Sequence, residues 1–127
     1  MASRVEIEKT SSTPYVLLDA EKGYMKLEGR CYHENIVTFF KEINEWIDDY
    51  LKSDFGNFTF DNAISYFNSS TTKILLTMLL KMDKHVSDDN KITVNWISAK
   101  DNDIMLEFGE DLAEELENLT FNIIISK

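Results

Sequence analysis

Hydrophobic and polar positions change period several times along the chain, and each change marks an element. From Tyr24 to Cys31, Met25, Leu27, Gly29 and Cys31 alternate with Tyr24, Lys26, Glu28 and Arg30, the period-two pattern of a half-buried strand. Cys31 then points inward. The run Tyr15-Val-Leu-Leu18 precedes it across Asp19-Ala-Glu-Lys-Gly23, a loop ending in glycine, so the two runs predict a β-hairpin. From Asn35 the period lengthens: Ile36, Phe39, Phe40, Ile43, Trp46, Ile47, Tyr50 and Leu51 recur at steps of three and four, with Lys41, Glu42, Glu45, Asp48 and Asp49 on the other face. That is a long amphipathic helix. Asn57 to Phe67 returns to alternation, with Phe58, Phe60, Ile64 and Tyr66 on one side and Ala63 and Phe67 contributing to the other. A strand apolar on both faces belongs inside a sheet.

A second helix is predicted from Thr71 to about Val86, and its apolar residues spread around roughly two-thirds of the circumference, more than one sheet face requires. Only Lys73, Thr77, Lys81 and Lys84 form a polar stripe. A neighbouring helix covering the extra flank accounts for this; the sharper alternative is a partner meeting Leu76 and Leu80. Lys91 to Ser98 reads as a strand, Asp101 to Asn118 as a helix with Ile104, Met105, Phe108, Leu112 and Leu116 facing in, and Phe121 to Ile125 as a closing strand. The order β-β-α-β-α-β-α-β predicts one α/β domain over residues 1–127, a mixed sheet layered with about three helices, with residues 1–12 flexible. The junction Asn68/Ser69 is expected exposed, at the edge of the sheet and the start of the second helix.

Length and charge narrow the classes of function. A chain of 127 residues holds one ordinary core. Its net charge of −10, with no Lys/Arg cluster, argues against nucleic acid and anionic membrane surfaces and leaves proteins or small molecules as partners. The single cysteine, Cys31, cannot form an internal disulfide and fits a reducing compartment. The first residues lack the apolar core of a signal peptide, and no apolar run approaches the roughly 18 residues of a spanning helix. A cytoplasmic location is expected.

No catalytic constellation assembles. His33 and His85 are the only histidines; Cys31 and His33 could supply two metal ligands, but no third lies at a recognisable spacing. Asp101-Asn102-Asp103 resembles the opening of a calcium loop, yet Met105 and Leu106 stand where a ligand and a glycine are needed, and capping of a helix by one of the acids explains it better. Paired carboxylates such as Asp48-Asp49 and Glu114-Glu115 lie on helical exteriors, where little tunes a pKa. No metal, cofactor or enzymatic activity is expected. The run Asn68-Ser69-Ser70-Thr71-Thr72 is the richest local feature. One of these residues caps the helix; the remaining hydroxyls lie among free backbone N–H groups at the positive end of a helix, suited to carry phosphate.

The succession "STPYVLLDAEKGYMKLEGRCYHEN", "FFKEINEWIDDYL", "YFNSSTTKILLTMLLKM" and "VNWISAKDNDIMLEFGEDLAE" resembles the family of SiaC-type regulatory phosphoproteins. The resemblance runs from about Thr13 onward, and its specific parts are Gly29-Arg30 with Glu34-Asn35, Tyr66 to Lys73, Asn95-Trp96 and Gly109-Glu110-Asp111. It implies a STAS-like fold, similar to anti-sigma-factor antagonists, in a partner switch: a cognate Ser/Thr kinase phosphorylates it, a PP2C-type phosphatase reverses this, and the unphosphorylated form engages a target signalling enzyme such as a diguanylate cyclase. By the match, the acceptor falls on Ser69, with Ser70 second, supported by Asn68, Thr71, Thr72 and Lys73. Arg30, Glu34, Asn35, Leu76, Leu80, Asn95 and Trp96 are the expected partner-binding residues. Cys31 and His33 stand where relatives carry Ser and Pro, a departure that leaves the acceptor untouched. The alternative is a small-molecule sensor of the same fold with its pocket near Arg30, Glu34, Asn95 and Trp96.

Overall fold

The computed structural model describes residues 4–126. Its strands are β1 (Val5–Ile7), β2 (Tyr15–Asp19), β3 (Tyr24–Cys31), β4 (Asn57–Phe67), β5 (Lys91–Ala99) and β6 (Thr120–Ser126), and helices α1 (Ile36–Leu51), α2 (Ser69–Lys84) and α3 (Asp103–Glu115) connect the last four. All six strands form one sheet in chain order. The first three pair antiparallel and β3 to β6 pair parallel, so the mixed α/β order read from Tyr15 onward is present. The sequence reading missed β1. Val5, Glu6 and Ile7 pair with Leu18, Leu17 and Val16, so the segment read as flexible contributes an edge strand; Met1 to Ser3 lie outside the described residues. Three residues are too few for alternation to register.

Each crossover steps to the next strand in the same direction, and the right-handed rule then puts all three helices on one face. The burial agrees: Met25, Leu27, Phe58, Phe60, Ile92 and Val94 are at most 2% exposed, whereas the residues between them are half-buried or exposed. The helix-free face carries a polar ladder across four strands. Tyr24 Oη donates to Asp61 Oδ2 (2.7 Å), Asn95 Nδ2 donates to Asp61 Oδ1 (2.8 Å), and Asn122 Nδ2 donates to Asn95 Oδ1 (3.1 Å). Partial burial, and then the Asp61 carboxylate, push the Tyr24 hydroxyl far above its ordinary pKa.

Two side chains fix the last helix. Trp96 is buried, donates from Nε1 to Met105 O (2.9 Å) and packs on Phe108 and Phe121. A Cβ at Gly109 would lie 2.6 Å from the Trp96 ring, so glycine is what lets α3 approach so closely. The buried Asp83, in the last turn of α2, accepts hydrogen bonds from the backbone N–H groups of Glu117 (3.1 Å), Asn118 (2.8 Å) and Leu119 (2.9 Å). That clamp holds the turn after Glu115, and α3 is accordingly shorter than its apolar period suggests. On α2, Leu76 and Leu80 are half-buried and Leu76 packs on the core. Much of the extra apolar flank is therefore covered within the chain.

Candidate functional site

The junction between β4 and α2 lies where the chain leaves the carboxyl end of an interior strand, rather than at a lateral edge of the sheet. Ligands and partners of parallel sheets gather at such ends. Asn68 is the N-cap in extended conformation, and its Oδ1 accepts from Thr71 N–H (3.2 Å). Thr71 is fully buried; its hydroxyl lies 3.3 Å from Cys31 O and 3.1 Å from Asn68 Oδ1, within reach of both acceptors. Thr72 donates from Oγ1 to Asn68 O (3.3 Å). Two of the four hydroxyls thus serve the cap and its anchorage to β3. Ser69 and Ser70 are exposed at the first two positions of α2, in a first turn free of acidic residues, and Lys73 is exposed one turn further on. An anion placed there meets open amide donors and the positive end of the helix.

Beside the junction, a β-bulge re-aims two side chains. Gly29 pairs with Ile64 but Arg30 pairs with Tyr66, so Ser65 is the extra residue. The slip turns Tyr66 outward, 49% exposed, and leaves Phe67 to pack on Phe108 of α3; simple alternation had placed Tyr66 on the apolar side with Phe58 and Phe60. The outward Tyr66 meets Tyr32 edge-to-face at 5.8 Å, and the Arg30 guanidinium sits 5.1 Å from the Tyr32 ring centre and 5.7 Å from that of Tyr66. Tyr and Arg are the residues that most often dominate binding at protein interfaces. Neither tyrosine stood out in the sequence, because the slip that gathers them has no local signature beyond Gly29, whose φ is +121°.

The other expected residues separate into groups. Glu34 and Asn35 are exposed in the turn before α1, where Asn35 N–H donates to His33 Nδ1 (3.0 Å). Asn95 is half-buried within the polar ladder, away from Trp96 on the opposite face of β5. Trp96 is a correction: at 1% exposure beneath α3 it presents nothing to a partner and cannot share a pocket with Arg30 and Asn95. The pairing of Asn95-Trp96 with Gly109-Glu110-Asp111 reflects packing of α3 on the sheet. A second correction concerns α3, which is capped by Asn102 Oδ1, accepting from Met105 N–H (3.3 Å), and not by a neighbouring acid. Asn102 also donates from Nδ2 to Ser65 O (3.0 Å), tying α3 to β4 beyond Asn62 and Trp96, the last pair of the β4–β5 register.

Cys31 is buried with its Sγ 3.4 Å from Thr71 Oγ1, and burial pushes its thiol up, only partly countered by the Thr71 hydroxyl. In the native protein Cys31 should resist a thiol-directed reagent and react fully once the chain is unfolded. Timed labelling followed by intact mass checks this, and rapid modification without denaturant would contradict the placement of Cys31.

The comparisons with known proteins agree with this geometry. A family model described as SiaC family regulatory phosphoprotein matches residues 7–126. An uncharacterized protein of Pseudomonas aeruginosa strain UCBPP-PA14 is 23% identical over 113 residues, which are 89% of this chain and 90% of that protein. The crystal structure of apo-SiaC from Pseudomonas aeruginosa superposes with a TM-score of 0.85 at 23% identity, covering 96% of this chain and 98% of that one. A chain in the structure of the diguanylate cyclase SiaD with its activator SiaC, from the same organism, gives a TM-score of 0.88 at 22% identity, covering 96% and 99%. With the family model spanning nearly all of the sequence, this chain belongs to the SiaC family of regulatory phosphoproteins.

Proposed function

We propose that this chain is a non-enzymatic partner switch, phosphorylated on Ser69, with Ser70 the second choice, whose unphosphorylated form binds and controls a diguanylate cyclase. A cognate Ser/Thr kinase adds the phosphate and a PP2C-type phosphatase removes it. One observation carries the choice of acceptor: within the hydroxyl run, Thr71 and Thr72 are committed to the helix cap while Ser69 and Ser70 stand exposed. Binding of a cyclase is taken from the relative, SiaC, whose complex with SiaD names it as activator. The docking surface combines the first turn of α2 with the Arg30, Tyr32 and Tyr66 cluster, the adjoining exposed aromatic and cationic group. A cytoplasmic location suits such a role, and among the described residues no helix is long and apolar enough to cross a membrane.

This surface has a direct test. Arg30→Ala and Tyr66→Ala should each weaken binding to the cognate cyclase by about 2 kcal/mol, the loss typical of an interface anchor, while leaving the melting temperature near that of the parent, because both side chains reach solvent. Unchanged affinity in both variants would place the interface elsewhere.

A further inference from the structure

The far end of β4 from Ser69 carries a feature that partner switching does not use. A hollow of about 590 Å³ opens between the hairpin turn at Ala20 and Glu21 and the end of α1 through Phe55. Its volume is in the range of small-ligand sites. Tyr50 and Phe55 line it, their rings stacked at 5.2 Å, and Tyr50 stacks in turn on Trp46 at 5.0 Å. The Tyr50 side chain is 5% exposed, and its hydroxyl, which has no hydrogen-bond partner among the described residues, is left open to solvent and available to a ligand.

The charges that line the hollow are mostly negative. The hollow lies at the C-terminal, negative end of α1, whose last turn contains no basic residue. Glu21 and Asp54 stand exposed on its rim without an ion-pair partner among the described residues, opposed by Lys52 alone. By contrast, the last turn of α2 carries Lys81 and Lys84. Carboxylates beside aromatic faces favour a cation that carries apolar surface: the rings attract the charge and also cover the stem.

We propose that this hollow binds an organic cation, an ammonium or guanidinium group on an apolar stem, held by Glu21 and Asp54, packed on Tyr50 and Phe55, with the Tyr50 hydroxyl completing its contacts. The ion arrives free, as a small amine, or on a lysine or arginine side chain of a partner. The site is independent of Ser69.

Amide chemical shifts of the full chain, followed during titration with 1,4-diaminobutane and separately with an end-capped peptide bearing one lysine, test this. Saturable shifts confined to Glu21 and the segment from Ser53 to Phe55 support the site; the tighter of the two probes identifies the source. A Glu21→Gln, Asp54→Asn double variant should bind about tenfold more weakly, and Tyr50→Phe a few-fold more weakly, since exposed charges and single hydroxyls contribute on that scale. Ser69→Asp should leave the titration unchanged, which separates this result from the fate of the partner switch. Absence of saturation for both probes, equal response to an uncharged isostere such as 1-butanol, or shifts spread equally along the acidic exterior of α3 would overturn it.

Discussion

Replacing Asp83 by alanine is expected to lower the melting temperature by roughly 10 °C, on the order of 3 kcal/mol for a chain of this size. A carboxylate is unfavourable in the last turn of a helix, where the macrodipole is negative, so its presence there needs a compensating contact. The compensation is specific: Asp83 receives three consecutive backbone N–H groups from Glu117, Asn118 and Leu119, and Asn118 Nδ2 donates back to Asp83 O (3.2 Å). Alanine strands those amides where Leu119 is already buried, and each unsatisfied donor costs about 1 kcal/mol or more. Asp83→Asn keeps one acceptor oxygen and should lose about half as much. Thermal unfolding followed by circular dichroism measures both, and a shift below about 2 °C for Asp83→Ala would mean that water replaces the clamp at little cost.

Charge at Ser69 should alter affinity far more than it alters the fold. Ser69→Ala is expected to bind the target constitutively and Ser69→Asp to bind at least about 100-fold more weakly, while both melt within a few degrees of the parent. Any partner that covers the first turn of α2 must desolvate this position, and burying a charge without a matched partner costs several kcal/mol, with tenfold in affinity for each 1.4 kcal/mol. Lys73, one turn away and exposed, offsets only part of that. Stability responds little because Ser69 touches none of the capping network: Asn68, Thr71 and Thr72 hold the helix start without it. Ser70→Asp serves as the control for position. Calorimetric titration that finds Ser70→Asp impaired and Ser69→Asp normal would move the acceptor by one residue.

The parts of this fold that were legible in the sequence are those where one period runs for two turns or more. α1 begins and ends within a residue of its apolar stripe because Ile36 through Leu51 never breaks the pattern. β1 escaped notice because its alternation lasts three residues. Position in the hydroxyl run was legible too, but not the division of labour within it: that Thr71 rather than Ser69 is buried depends on the carbonyl of Cys31, forty residues away in sequence. Long-range contacts decided the other surprises. Trp96, expected to meet a partner, is a core residue instead because Gly109 lets α3 pack directly over it. Tyr66 took the opposite face from the one its spacing implied, because the slip at Ser65 arises from pairing with β3. Neither the placement of the Tyr50 hydroxyl nor the Asp83 clamp has any counterpart in local pattern.

The most direct measurement of the central claim is a calorimetric titration of the cognate diguanylate cyclase with two preparations of this protein: one unmodified, and one stoichiometrically phosphorylated with the phosphate mapped to Ser69 by fragment mass. The unmodified protein should bind at least about 100-fold more tightly, the ratio that burial of an unpaired dianion implies, while the two preparations share one melting temperature to within a few degrees. Equal affinities would contradict the account and remove Ser69 from the switch.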